Sequence, residues 1–278
     1  MPFKFAVYAT LLCSIVLGLS SLFGSAWAAS PEVRNAMLKA VDTQASGAYV
    51  RDRFLKLLKK PFNPHDSRKK ALIVGDSFAQ DFTNVVLESG ALDDYQLAVR
   101  YLPTRCQMYL GPEDISAFIL PSDRQLCADA DNLEQAKAQI KAADVVILVS
   151  NWKEWSAKRL PTTIKHLQLS PEQTLRVIGR KSFGRINVRH YLRESDAELA
   201  KARIPVDDYQ TKINDLMKRT LSPSIFVDQH QLLCGGGETC PVFTPDLRLI
   251  SFDGSHLTRD GAIYVGEKLF QHSLLKQL

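Results

Sequence analysis

The chain has 278 residues, 45% of them hydrophobic, and a formal net charge of +5. Such a length supports one large domain with a well-buried core. The mild basic excess forms no stripe with interleaved aromatics, which argues against nucleic acid as a partner and leaves at most a weak preference for anionic envelope components.

Residues 1–28 read as an export signal. No charge stands between Lys4 and Glu32, Phe5 to Phe23 is apolar or small, and Ala26-Trp27-Ala28 fits the small-x-small cleavage rule. An uncleaved anchor is the alternative, since the apolar run approaches the roughly 20 residues that span a bilayer. Cleavage removes Lys4 and Cys13, which leaves a net charge of +4 and four cysteines: Cys106, Cys127, Cys234 and Cys240. Cys13 follows Leu12 rather than a small residue, a poor context for lipid attachment. The expected location is periplasmic or secreted, with a membrane-anchored form as the alternative.

Residues 29–68 read as a helical extension and linker. Val33, Met37, Leu38, Val41, Phe54, Leu57 and Leu58 recur at roughly helical spacing, and "PFNPHDSRKK" then breaks the pattern with two prolines. From residue 69 to 278 the chain alternates. Strand-like runs fall at Ala71–Val74, Gln96–Leu102, Asp144–Val149, Leu175–Gly179 and Ser224–Val227; helix-like runs at Phe78–Glu88, Leu133–Ala142, Asp207–Arg219 and Asp260–Leu274. This order argues an α/β fold, a mainly parallel sheet covered on both faces. In such sheets reactive residues gather at the carboxyl ends of the strands.

Four cysteines in an exported chain suggest disulfides. Three pairings are open. The local one, Cys106–Cys127 with Cys234–Cys240, is favoured because each pair flanks a loop-like stretch. Zinc is the rival, but there is no C-x-x-C knuckle and the spacings do not fit a usual site. Gly235-Gly236-Gly237 is not followed by G-K-[ST] and reads as a stapled turn rather than a phosphate cradle. Neither a metal nor a cofactor is expected.

Gly75-Asp76-Ser77 closes the first core strand on a tight polar corner, with a helix starting at the serine. Free backbone N–H groups at that helix start suit a developing negative charge. A serine hydroxyl is a weak nucleophile until a base takes its proton. Among the six histidines, His256 stands out, because Asp253 precedes it by three residues in "FDGSHLTRDGA", with Thr258 as the N-cap of the last helix. A carboxylate three residues back can hold the ring proton and favour the imidazolium. D-x-x-H by itself also fits an ordinary turn with a surface histidine.

These residues resemble the SGNH, or GDSL-type, hydrolase superfamily, over roughly Lys69 to Leu274. The likeness rests on Gly75-Asp76-Ser77 after the first strand and Asp253-Gly254-Ser255-His256 before the last helix. It is closest to the extracytoplasmic SGNH domains associated with polysaccharide O-acyltransferases, which share a Cys-containing loop after the second strand ("LPTRCQMYLG") and an aromatic soon after the middle strand ("VVILVSNWKEW"). The resemblance implies a flavodoxin-like three-layer α/β/α sandwich. It implies Ser77 as nucleophile, His256 as base, Asp253 as its orienting partner and Asn151 as oxyanion donor, although Val149 stands where the family has a glycine. The family's glycine donor has two candidates, Gly90 and Gly111, neither in the expected context, and the Ser77 N–H is the safer second donor. The rival α/β-hydrolase fold matches Gly75-x-Ser77-x-Ala79 nearly, but separates its acid and histidine widely.

The chemistry implied is acyl transfer through an acyl-serine, on an envelope glycan and with an acetyl group; an integral-membrane acyltransferase would be the acyl donor. Trp152 and Trp155 are the aromatics available for a sugar to stack on, and the alternative is core packing, which aromatics near a strand end serve as often. Two other readings stand beside this one. A non-catalytic glycan-binding or assembly subunit would bind without turnover, and a secreted lipase or thioesterase would prefer long acyl chains.

Overall fold

The computed structural model describes residues 28–278. The export-signal reading of residues 1–28 lies, Ala28 apart, outside them. Helices α1 (Pro31–Ala40) and α2 (Thr43–Leu55) lead into β1 (Lys69–Gly75), α3 (Ser77–Ser89) and β2 (Tyr95–Tyr101). Next come α4 (Arg124–Asp129), α5 (Leu133–Ala142), β3 (Val145–Val149), α6 (Glu154–Lys158), α7 (Leu160–Leu167) and β4 (Thr174–Ile178). The last third holds α8 (Val188–Tyr191), α9 (Asp196–Leu199), β5 (Arg203–Pro205), α10 (Asp208–Thr220), β6 (Phe226–Val227), α11 (Gln229–Cys234), β7 (Thr239–Pro241) and α12 (Arg259–His272). No described helix is long and apolar enough to cross a membrane.

Five strands form one parallel sheet in the order β2-β1-β3-β4-β6, and β5 pairs antiparallel with β7 in a separate ribbon. Side chains alternate between two cores, as strand geometry requires. Ala71, Ile73, Val145 and Ile147 face the layer of α3 and α12. Leu72, Val74, Val146 and Leu148 face the layer of α5, α7 and α10, with Leu133, Ile140, Leu160, Ile213 and Met217. The sheet is therefore buried on both faces, which gives the three-layer α/β/α sandwich the sequence pointed to.

Register places the carboxyl ends in line. Gly75 pairs with Tyr101 on one side and Val149 on the other, Val149 with Ile178, and Ile178 with Val227. Every connection leaving this edge starts from one row, and so residues just past β1, β3 and β4 share a corner.

The stretch before β1 is part of the fold. Phe54 of α2 is wholly buried in the α3/α12 core. Residues 57–59, expected as the end of the helical extension, lie beyond α2 and run along β2 instead: Val99 N–H donates to the Leu57 carbonyl at 3.1 Å, and Lys59 N–H donates to the Val99 carbonyl at 2.9 Å. Helix α1 buries Val33 and Met37 against Tyr191, Leu199, Val242 and Phe243.

Candidate active site

At the end of β1 the chain turns at Gly75, where a Cβ would stand 1.6 Å from the Val149 carbonyl oxygen. Only glycine lets strand β3 approach this closely. Asp76, fully buried, is the N-cap of α3. Its Oδ1 accepts the Phe78 N–H at 2.9 Å. The same carboxylate accepts Thr104 Oγ1–H at 2.8 Å, Ser150 Oγ–H at 2.7 Å and the Asn151 N–H at 3.0 Å. One buried side chain thus joins the serine turn, the loop after β2 and the end of β3. Ser77, half-buried at the first position of α3, has its N–H at the positive end of that helix.

Asn151 follows β3 and is half-buried. Besides its N–H bond to Asp76, its carbonyl accepts Gln107 Nε2–H at 3.2 Å. Gln107 also accepts the Lys153 N–H at 2.8 Å and Ser156 Oγ–H at 2.6 Å, from a backbone held at φ +59°. A non-glycine residue in this left-handed region stores on the order of 1–3 kcal/mol, which the surrounding bonds must hold in place. Gln107 follows Cys106, which is bonded to Cys127. The disulfide loop thereby braces the Asn151 corner.

The turn before α12 supplies the histidine. Asp253 Oδ1 accepts the N–H groups of Ser255 (2.8 Å) and His256 (2.7 Å), and its Oδ2 meets His256 Nδ1 at 2.7 Å. Burial pushes the Asp253 carboxyl up, but the bonds from the His256 ring and from these two N–H groups outweigh it and hold it at about 2. An ionised carboxylate only accepts, so Nδ1 carries the ring proton and Nε2 is left with its lone pair. The imidazole stacks on Phe252 (5.9 Å between centroids) and meets Phe78 edge-on (6.3 Å). Phe78 is the residue after Ser77, so the ring lies at the start of α3. Ser77 Oγ is not hydrogen-bonded to the ring.

Two partners strap the turn to the sheet. Gly254, at φ +90°, lies so close to Gly184 that a Cβ would stand 1.7 Å from the Gly184 carbonyl oxygen. The Gly254 carbonyl accepts the Phe183 N–H at 2.8 Å. Lys181, just beyond β4, donates Nζ–H to the Ser255 carbonyl and to Asp81 Oδ2 (2.7 Å), and Asp81 Oδ1 accepts the Leu257 N–H at 3.1 Å. Burial raises the Asp81 pKa, opposed first by the Lys181 ammonium and then by His256.

The corner at the carboxyl edge therefore brings together Ser77, Asn151 and the Asp253–His256 pair, from three separate stretches of sequence. Trp152 is not part of it. Its indole is fully buried and donates Nε1–H to the Ile178 carbonyl at 2.8 Å, so it belongs to the core and cannot meet a substrate. The aromatic at this surface is Trp155, stacked on Phe118 (5.2 Å) with Arg159 over the Phe118 ring (4.5 Å). With Lys153 and Tyr209 they line a hollow of about 460 Å³. Gly90 caps the far end of α3, roughly 20 Å from Ser77 at 1.5 Å per residue, and that distance removes it as an oxyanion donor. Asp76, Gln107, Asp81 and Lys181 carry no spacing signal; only the D of Gly-Asp-Ser offered a hint.

The second disulfide joins Cys234 to Cys240, so the local pairing holds for both. His230 Nδ1 lies 3.4 Å from Cys234 Sγ, and the three residues converge. With the two sulfurs bonded to each other, the imidazole is the one donor left of that trio. Disulfides fit a chain that folds in an oxidising compartment. A family model described as SGNH domain (fused to AT3 domains) matches residues 47–271. No curated protein matches the chain.

Proposed function

This chain belongs to the SGNH domain family of the kind fused to AT3 domains, and on that premise we propose that it is an exported serine acyl-transfer enzyme acting on a cell-envelope polysaccharide. The reaction adds or removes O-acetyl groups through an acyl-serine intermediate. The observation that carries this reading is the 2.7 Å bond between Asp253 Oδ2 and His256 Nδ1, which leaves Nε2 free to take a proton.

Each step uses a group at the corner. His256 Nε2 takes the Ser77 Oγ proton as Oγ bonds to the ester carbonyl carbon, and the carbonyl electron pair moves to oxygen. The Ser77 N–H, at the positive end of α3, and the Asn151 amide hold that oxyanion. The imidazolium is held by Asp253 and returns its proton to the leaving alkoxide as the ester bond breaks. The acceptor hydroxyl then repeats the sequence: it gives its proton to Nε2, attacks the acyl-serine, and Ser77 recovers its hydrogen. A water acceptor makes the protein an esterase, and a sugar hydroxyl makes it an O-acyltransferase.

A membrane acyltransferase as acyl donor is supported by the family's fusion to AT3 domains. A glycan is supported by the hollow lined by Phe118, Lys153, Trp155 and Tyr209, which starts two residues past Asn151 and offers aromatic faces for sugar rings. Intact-mass spectrometry of the chain from residue 29, incubated with an activated acetyl ester, tests the reading. The expected result is an acetyl adduct absent in Ser77→Ala. Faster discharge by envelope glycan than by water identifies a transferase, and equal discharge an esterase. Glycan binding with no adduct and no turnover would replace the enzyme by a binding subunit.

A further inference from the structure

Lys181 and Asp81 form a salt bridge with side chains only 2% and 1% exposed. Burying such a pair seldom stabilises a fold, since an apolar pair of the same shape does as well or better. What the two touch is more informative. Lys181 Nζ donates to the Ser255 carbonyl, and Asp81 accepts the Leu257 N–H, so the pair grips the residues on both sides of His256. Asp81 stands one turn beyond Ser77 on the same helix. Lys181 Nζ also lies 4.0 Å from the centre of the Phe78 ring, which stands nearly perpendicular to the imidazole with the ring centres 6.3 Å apart. The helix bearing the serine, the loop after β4 and the histidine turn are therefore joined at one buried point.

We propose that Lys181 and Asp81 are positioning residues that hold the His256 imidazole at the reach of Ser77. The proposal rests on the acyl-transfer reading above. Without the pair, the Ser255 carbonyl and the Leu257 N–H lose their partners and turn toward water, and His256, lying between them, shifts. Misplacement of a reacting group by about 1 Å can cost on the order of 10²-fold in rate.

Two double variants separate positioning from folding. Asp81→Leu with Lys181→Met removes both charges and keeps the side-chain shape. Asp81→Asn with Lys181→Gln removes the charges but keeps an acceptor for Leu257 and a donor for Ser255. Turnover of an activated acetyl ester, thermal melting and the ¹⁵N signals of the His256 ring are read for each. The expected outcome is melting near wild type for both. The apolar pair should lose on the order of 10²-fold in kcat with KM little changed and its ring signals shifted, and the amide pair should keep kcat within several-fold. Wild-type kcat and ring signals in the apolar pair would overturn the proposal, as would equal losses in both pairs. Should the apolar pair fail to fold, Asp81→Leu with Lys181→Gln takes its place against the amide pair under the same criteria. Failure of the parent reading looks different: Ser77→Ala would keep wild-type turnover, while the ring signals would still report whether the pair positions His256.

Discussion

At the scale of single residues, the Asp253 carboxylate couples acid stability to the proposed reaction. Its pKa is held at about 2 in the fold, against about 3.9 in an unfolded chain. A group whose folded pKa is depressed contributes stability that is complete above the unfolded value and fades as pH falls through the folded one. The Asp253 contribution is therefore present above about pH 4 and disappears toward pH 2. Asp253→Asn should lose stability at pH 6 relative to wild type, and the two unfolding curves should converge on acidification. A gap that persists at pH 2 would show that the bond to His256 does not depend on the ionised carboxylate. The same variant should lose on the order of 10³- to 10⁴-fold in kcat, because the tautomer with Nδ1–H is no longer favoured. Asp253 and His256 were legible because they meet across three residues, within one turn. Lys181 and Asp81 meet across 100 residues, and a buried lysine reads in sequence like any surface lysine. Trp152 misled for a related reason: an aromatic after a strand carries no mark of which way it faces.

At the scale of elements, the site depends on turns that glycine alone permits. Gly254 combines φ +90° with a near-contact to the Gly184 carbonyl. Gly254→Ala must push the histidine turn off the loop after β4 or strain both, and it breaks the Phe183 N–H bond to residue 254 in doing so. Backbone strain of this kind costs on the order of 1–3 kcal/mol, and the steric clash adds to it. The expected result is a lower melting temperature together with a loss of acetyl-ester turnover larger than the lost stability accounts for. A variant that melts earlier yet turns over normally at a temperature where it is folded would show that the turn has slack. The sheet strands could be read from the chain because the main ones are short continuous apolar runs, and the helices α5 and α12 because their buried residues recur at helical spacing. The β5–β7 ribbon could not. Its strands are three residues long, each ends in proline, and they pair across more than thirty residues, so no local pattern announces them.

At the scale of the whole molecule, the boundary that proline-rich "PFNPHDSRKK" implies is not a boundary in three dimensions. Helix α2 inserts Phe54 into the same core as α3 and α12. The buried Asn84 amide of α3 donates to the Tyr49 and Val50 carbonyls at 3.1 Å each, and Glu88 pairs with Arg53. Residues 57–59 cover the outer edge of β2. Helix periodicity revealed that helices lie in this region, but only packing reveals that the sheet needs them. A chain starting at Lys69 would forfeit about 1.5–3 kcal/mol for Phe54 alone. It would also leave the Asn84 amide without its partners and open the edge of β2 to pairing with other chains. Against a total stability of about 5–15 kcal/mol, these losses are large. The chain from residue 69 should therefore aggregate or melt without cooperativity, while the chain from residue 29 folds. Size-exclusion chromatography and urea denaturation of the two would decide. A monomeric, cooperatively folding 69–278 fragment with normal acetyl-ester turnover would mean that the α2 contacts are dispensable and that the proline-rich segment does end an independent unit.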